Sequence, residues 1–311
     1  MKINFVLALI LALLVTFSAP AKVIFIPDIE VLTQVVYAET PQEKLKLDVV
    51  RPLAVRPCPV VVFFHSGNFD NGDKLSLRAK ARTMAQSGYV VFIPDYRLAR
   101  DAIFPAAVND AMGAVIWAKE HAAEYNGDPN RVVVMGNSAG AYLSAIVALA
   151  WDDPYFTPSY LGNGRTTAEP LAAVLVYGAY RLDWVASQDP KSWNSLITPE
   201  TVQNFMGGSP EDRPEHYQKA SLQYYLDRGN IPPILICSGT DESTHAEAVW
   251  LDDELKTRAA VHTFYSCSAG KKLFLSKTIK RQDLYHLRLA LDFLDKKTGN
   301  CGPLIGGCKK S

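Results

Sequence analysis

The chain has 311 residues, 48% of them hydrophobic and 21% charged, enough to bury one large core and the usual length of a single α/β domain with an insertion. Its 32 Lys and Arg balance its 32 Asp and Glu. With no basic surplus to neutralise a phosphate backbone, nucleic acid is argued against as the main partner.

The first residues read as a leader rather than as part of a fold. Lys2 supplies a positive start, Phe5 to Phe17 is almost wholly apolar, and Ala19-Pro20-Ala21 offers small residues for cleavage. This is the layout of a secretory signal peptide over residues 1–21, cleaved after Ala21. The alternative is an uncleaved anchor, although the apolar run is shorter than the roughly 20 residues that span a bilayer. After processing no stable membrane span is expected, and the protein is expected to be secreted or held in the periplasm or cell envelope. Export permits disulfides. An odd set of five cysteines leaves at least one thiol unpaired within a monomer. Cys301 and Cys308 flank a Gly-rich stretch as if to close a small loop, whereas Cys237 lies in an apolar run and reads as a small buried hydrophobe. No close cysteine pair has the matching histidines of a metal site.

Beyond the leader, short apolar runs alternate with amphipathic stretches, the pattern of a mostly parallel sheet flanked by helices. Lys46 to Val50 alternates like an antiparallel edge strand. Buried strands are predicted at Val60 to Phe64, Tyr89 to Ile93, Arg131 to Met135, Leu171 to Tyr177 and Pro233 to Cys237, with the last at Val261 to Tyr265. Lys80 to Ser87, Ala106 to Tyr125 and His245 to Arg258 carry apolar residues at helical spacing. Trp151 to Tyr160 and Ser187 to Pro214 are rich in Asp, Pro, Ser, Asn and Trp and keep no steady period. They read as excursions above the strand ends, with 187–214 the candidate lid. The expected organisation is one α/β domain over 22–297 and a Gly- and Cys-containing tail over 298–311.

The strongest chemical signal is Gly136-Asn137-Ser138-Ala139-Gly140, which follows a buried strand and precedes the helical stretch Ala141 to Val147. A serine between two such glycines fits a sharp strand-to-helix turn, where bulky neighbours collide. The turn lifts the hydroxyl clear of the sheet and sets it at a helix N-terminus, whose amides favour negative charge. The amide of Ala139 is then one donor to an oxyanion, and the second should come from a glycine-bearing loop after an earlier strand. His65-Ser66-Gly67-Asn68-Phe69 occupies that place.

Taken in order, His-x-Gly-x-aromatic, Gly72-Asp73-Lys74, Pro94-Asp95-Tyr96-Arg97-Leu98, Asp128-Pro129-Asn130-Arg131 and the Ser-Ala-Gly elbow resemble the acetyl-esterase/lipase branch of the α/β hydrolases. That branch includes hormone-sensitive-lipase-like and feruloyl-esterase-like carboxylesterases, and the resemblance runs over roughly residues 45 to 295. It implies an α/β-hydrolase fold with a small lid insertion, and a Ser-acid-His triad in that chain order. The donors it implies are the amides of Gly67 and Asn68 beside Ala139, although Ser66 and Asn68 replace two glycines of the family loop. His65 becomes a structural residue of that loop, and Asp95, Tyr96 and Arg97 packing and ion-pair residues. The acid follows the strand ending at Cys237: the family register selects Glu242, and Asp241 is the alternative one residue away. Where the family places its histidine turn this chain has Ala269-Gly270-Lys271-Lys272-Leu273-Phe274. Among the other histidines, His262 falls inside the last strand, and His286 opens the apolar stretch Leu287 to Leu294 at a loop-to-helix position, which makes it the candidate base.

The function these residues imply is hydrolysis of a carboxylic ester, either short-chain acyl or carbohydrate, needing neither cofactor nor metal. The alternatives are an amidase or formamidase with the same triad, and a non-catalytic hydrolase-fold binding protein. The sequence leaves the oligomeric state open.

Overall fold

The computed structural model describes residues 28–54, 56–160, 166–193, 197–240, 243–267 and 281–300. The leader 1–21, the acid candidates Asp241 and Glu242, and the cysteines Cys301 and Cys308 lie outside the described residues.

Eight strands make one sheet: β1 (Ile29–Glu39), β2 (Lys44–Pro52), β3 (Cys58–Phe64), β4 (Val90–Pro94), β5 (Gly127–Asn137), β6 (Ala173–Val176), β7 (Ile234–Gly239) and β8 (His262–Cys267). Their spatial order is β1-β2-β4-β3-β5-β6-β7-β8. The pairs β1/β2 and β2/β4 are antiparallel and all others parallel. Parallel strands must be joined by crossovers, and these put helices on both faces. The helices are α1 (Arg78–Gln86), α2 (Ala106–His121), α3 (Ala139–Ala150), α4 (Leu182–Ala186), α5 (Pro199–Met206), α6 (Pro214–Ala220), α7 (Gln223–Leu226), α8 (His245–Thr257) and α9 (Arg281–Thr298).

Alternation along β3 shows how the two faces are filled. Val60, Val62 and Phe64 join the core under α2 and α3, whereas Val61 and Phe63 join the core under α1 and α9. All five are fully buried. A continuous apolar run of this kind is what a strand covered on both sides requires. Cys237 likewise packs in the core, as a buried small side chain.

Two expectations change. Lys46 to Val50 does not form an edge: β2 is flanked on both sides, and the edge is β1. That strand escapes a period-two reading because its pairing with β2 shifts register between Leu32 and Val35 and again between Val36 and Ala38, with Gln34 at φ 61°. Each irregularity flips the face that the following side chains present. Second, the aperiodic stretch 187–214 contains α5. Thr198 caps it reciprocally with Thr201, Gly207 ends it at φ 79°, and Val202, Phe205 and Met206 are buried on one face. A two-turn helix offers only one i, i+3, i+4 set, too little for a period to register.

Candidate active site

In parallel neighbours the loops after the strands meet along one edge. Phe64 of β3 pairs in register with Gly136 of β5, Asn137 with Val176 of β6, and Val176 with Cys237 of β7. The loop after β3, the turn after β5, and the exits of β6 and β7 therefore lie side by side.

Ser138 stands on the turn after β5 with φ 53° and ψ −116°, a conformation that L-residues seldom adopt. Its amide donates to the Val176 carbonyl (2.8 Å), and its carbonyl accepts from the amides of Ala141 (2.9 Å) and Tyr142 (3.2 Å) as α3 begins. The flanking glycines are steric necessities. A Cβ on Gly136 would sit 2.0 Å from the Gly140 oxygen, and one on Gly140 would sit 2.2 Å from the Phe64 oxygen. The second contact presses the elbow onto the exit of β3, where the donor loop starts. The Ala139 amide belongs to the first turn of α3, whose N–H groups no carbonyl of the helix itself reaches.

In the donor loop Gly67, Asn68 and Phe69 have φ of 141°, 57° and 65°. The Gly67 carbonyl accepts from the amides of Asp70 (3.1 Å) and Asn71 (2.8 Å), and a Cβ on Gly67 would overlap the Asn71 oxygen at 1.6 Å. Asn68 replaces a family glycine in the left-handed region, which a short polar side chain tolerates better than most. His65 is buried, its Nδ1 2.7 Å from the Ser66 carbonyl, and its ring stacks on Tyr96 at 4.2 Å. The Tyr96 hydroxyl donates to the His65 carbonyl (2.9 Å). Burial lowers the His65 pKa from its ordinary 6.5, so the ring is held neutral as a brace for the loop. Close by, Asp95 accepts from the Lys74 amide (2.8 Å) and ammonium. Arg97 grips the fully buried Asp110 through Nε (2.8 Å) and one terminal nitrogen (2.7 Å).

His286 is the sixth residue of α9, inside the helix and not at its entrance as its neighbours suggest. It is 3% exposed. Its ring meets the edge of Tyr177 at 5.7 Å. Tyr177 directly follows the residue that receives the Ser138 amide, and its own amide donates to Cys237 (2.9 Å). The packing of α9 thus brings His286 to the exit of β6, the strand beside the one that leads into Ser138. His262 goes elsewhere. It opens β8, in register with the first residue of β7, so it lies a strand length from the elbow. Both its ring nitrogens are engaged, with Ala260 O (2.8 Å) and Asp252 (2.9 Å).

β7 ends at Gly239 on this same edge, and α8 begins at His245. His245, too close behind the acid candidates in sequence to turn back onto either, lies 3.1 Å from the buried Ser238 hydroxyl. Buried Glu247 accepts from the amides of Tyr180 (3.1 Å) and Arg181 (2.6 Å) and from the Arg181 guanidinium (3.0 and 2.6 Å). Arg181 in turn lies over Trp184 and Trp250. Sequence reading missed this clamp because Arg181 and Glu247 sit in different segments with no local motif. Burial raises the Glu247 pKa despite the arginine.

A mostly parallel sheet in this order, with helices on both faces and a serine on the turn after β5, is the α/β-hydrolase fold. Residues 47–249 match the BD-FAE family, and the chain belongs to it. The chain is 28% identical over 208 residues to esterase LipC of Mycobacterium tuberculosis, 67% of this chain and 50% of that protein. It is 41% identical over 92 residues to carboxylesterase NlhH of the same organism, 29% of this chain and 28% of that one. The matched stretches thus span half or less of these relatives' lengths. Thermogutta terrifontis esterase 2, in a structure phosphonylated by sarin, superposes with a TM-score of 0.71 at 23% identity over 88% of this chain and 96% of that one. A fungal esterase from Rhizomucor miehei superposes equally well, at 22% identity over 89% and 86%.

Proposed function

We propose that the chain hydrolyses carboxylic esters through an acyl-enzyme on Ser138. The observation that carries this reading is the backbone of Ser138, at φ 53° between two glycines that admit no side chain, with Gly140 pressed against the carbonyls of Phe64 and His65 at the exit of β3. Strain of this kind persists where surrounding structure over-determines it, typically at functional turns. Membership of an esterase-bearing family and the esterase names of the matched relatives support the same reaction class.

In this reading the Ser138 hydroxyl attacks the ester carbonyl while His286 takes its proton, and Asp241 or Glu242 orients the imidazole. The amides of Ala139, Gly67 and Asn68 hold the oxyanion. Collapse of the tetrahedral intermediate expels the alcohol, protonated by His286, and water activated by the same ring then releases the acid. The substrate is a short-chain or carbohydrate ester met outside the cytoplasm, which the leader sequence Lys2 to Ala21 supports. N-terminal sequencing of exported protein should find a mature chain beginning near Lys22; one beginning at Met1 would favour an anchor.

Labelling with a fluorophosphonate, followed by peptide mapping, tests the mechanism. An activated serine takes the label at Ser138, as the Thermogutta enzyme takes a phosphonyl group. No labelling together with no turnover of any ester would leave a hydrolase-fold binding protein.

A further inference from the structure

The candidate donor loop places one bulky residue where its turn calls for glycine or asparagine: the Gly67 carbonyl closes the turn to the amides of Asp70 and Asn71, with Asn68 and Phe69 at the central positions. Gly67 accepts a positive φ without penalty and Asn68 with little, but Phe69 at φ 65° is an aromatic residue in the left-handed region. Besides the turn closed at Gly67, its own carbonyl accepts from the Ala99 amide (2.8 Å). A further restraint comes from its ring, which is fully buried. Phe205 of α5 lies flat against it, with ring centroids 4.1 Å apart and planes within 9°. Tyr142, four residues after Ser138 in α3, meets it edge-on at 5.6 Å.

Both partners are themselves fixed. The Phe205 carbonyl accepts from the Phe104 amide (2.8 Å), and Phe104 packs edge-on to its ring at 5.8 Å. Gln203 on the same helix donates to the Ala186 carbonyl (3.0 Å), and the cap at Thr198 and the glycine stop at Gly207 fix both ends of α5. The Tyr142 hydroxyl donates to the Ala220 carbonyl (2.7 Å). The segment that reads from sequence as a lid thus holds the underside of the loop bearing the oxyanion donors.

We infer that Phe205 is a positioning residue: stacked on Phe69, it holds the Gly67–Phe69 backbone in its left-handed course and so aims the amides of Gly67 and Asn68. This rests on the esterase reading, and it makes α5 a fixed wall of the site, not a cover that opens over it. Amides aimed at an oxyanion act in the transition state and hardly at all on the bound ester, so losing their aim lowers kcat and leaves KM nearly unchanged.

The test measures kcat and KM on a short p-nitrophenyl ester, and the rate of fluorophosphonate labelling at Ser138, in Phe205→Ala and in the milder Phe205→Leu. Phe205→Ala should lose roughly 10- to 100-fold in kcat, below the loss seen when one oxyanion donor is deleted outright, with KM within about 3-fold. Labelling should slow by the same factor, because the phosphonyl oxygen occupies the same amides. Phe205→Leu should fall between, and it carries the test if the alanine variant does not fold. In a Phe69→Gly background, where the backbone needs no ring to hold its φ, Phe205→Ala should cost less than about 3-fold further. A folded Phe205 variant with kcat and labelling within about twofold of wild type overturns the inference, as does one in which KM alone rises. If the wild type itself does not label at Ser138, the esterase reading fails and this inference with it. If the wild type labels and the variants label as fast, only the role of Phe205 is lost.

Discussion

The proposed nucleophile side and the proposed base side of the candidate site are assembled by different physics. On the nucleophile side, β3, β5, α3 and the loop 65–69 form a structure held by backbone. Ser138, Gly67, Asn68 and Phe69 all sit at positive φ, and the glycines lie where a single Cβ would collide with a carbonyl. On the proposed base side, β7 and α9 place His286 by side-chain packing: Leu287, Ala290 and Leu294 share a core with Leu235 and Cys237, and the histidine meets Tyr177. Backbone-held geometry is short-range and writes itself as a motif. Packing-held geometry tolerates many sequences of similar volume, so it leaves a weaker mark on any one of them.

The largest effect expected is at the nucleophile. Ser138→Ala should remove about four to six orders of magnitude of p-nitrophenyl ester turnover while circular dichroism shows the fold intact. Next is the base. His286→Ala should fall nearly as far, and the double variant should be scarcely slower than either single one, because triad members act as a unit. His262→Ala is the control and should keep activity within a few-fold, since its ring binds Asp252 and Ala260 at the far end of β8. The opposite ranking would break the contrast between the two sides at its weaker end.

The brace of the donor loop should show in acid. The His65 pKa is lowered by burial from 6.5, so the unfolded chain takes up a proton that the folded chain refuses. Its contribution to stability is therefore complete above about pH 6.5 and is lost as the pH falls below that, by up to about 1.4 kcal/mol per pH unit. His65→Phe keeps a ring against Tyr96 and removes the titration. Its melting temperature should decline less between pH 7 and 5 than that of the wild type, and parallel declines would mean that the acid sensitivity lies elsewhere. The smallest effect concerns strain. Ser138→Gly should be inactive yet more stable than Ser138→Ala by about 1 kcal/mol, because glycine adopts φ 53° freely. Calorimetry should register this as roughly 2–4 °C in Tm, and equal melting points would show that the turn stores no strain.

Much of the scaffold was legible because its signals are local. The apolar runs at Val60 to Phe64, Arg131 to Met135 and Pro233 to Cys237 each belong to a strand buried on both faces, and two glycines around a serine mark a turn that no bulkier residues can make. His65 is buried in its loop, where the resemblance implied a structural residue. Less legible were β1, whose bulges scramble its alternation, and α5, too short to declare a period.

What the sequence determined by itself is the set of contacts made within a few residues: the elbow at Ser138, the left-handed loop at Gly67 and Asn68, and the buried strands between which they stand. The tertiary structure alone decided that β2 is interior, that His286 reaches Tyr177 while His262 is spent on Asp252, that Arg181 finds Glu247, and that Phe205 lies on Phe69. The physical reason is range. Steric exclusion and backbone hydrogen bonding act between near neighbours and dictate residue types at fixed spacings, whereas the contacts of Arg181 with Glu247, Tyr177 with His286 and Phe69 with Phe205 join distant segments through shape and volume, which many different residue choices satisfy equally well.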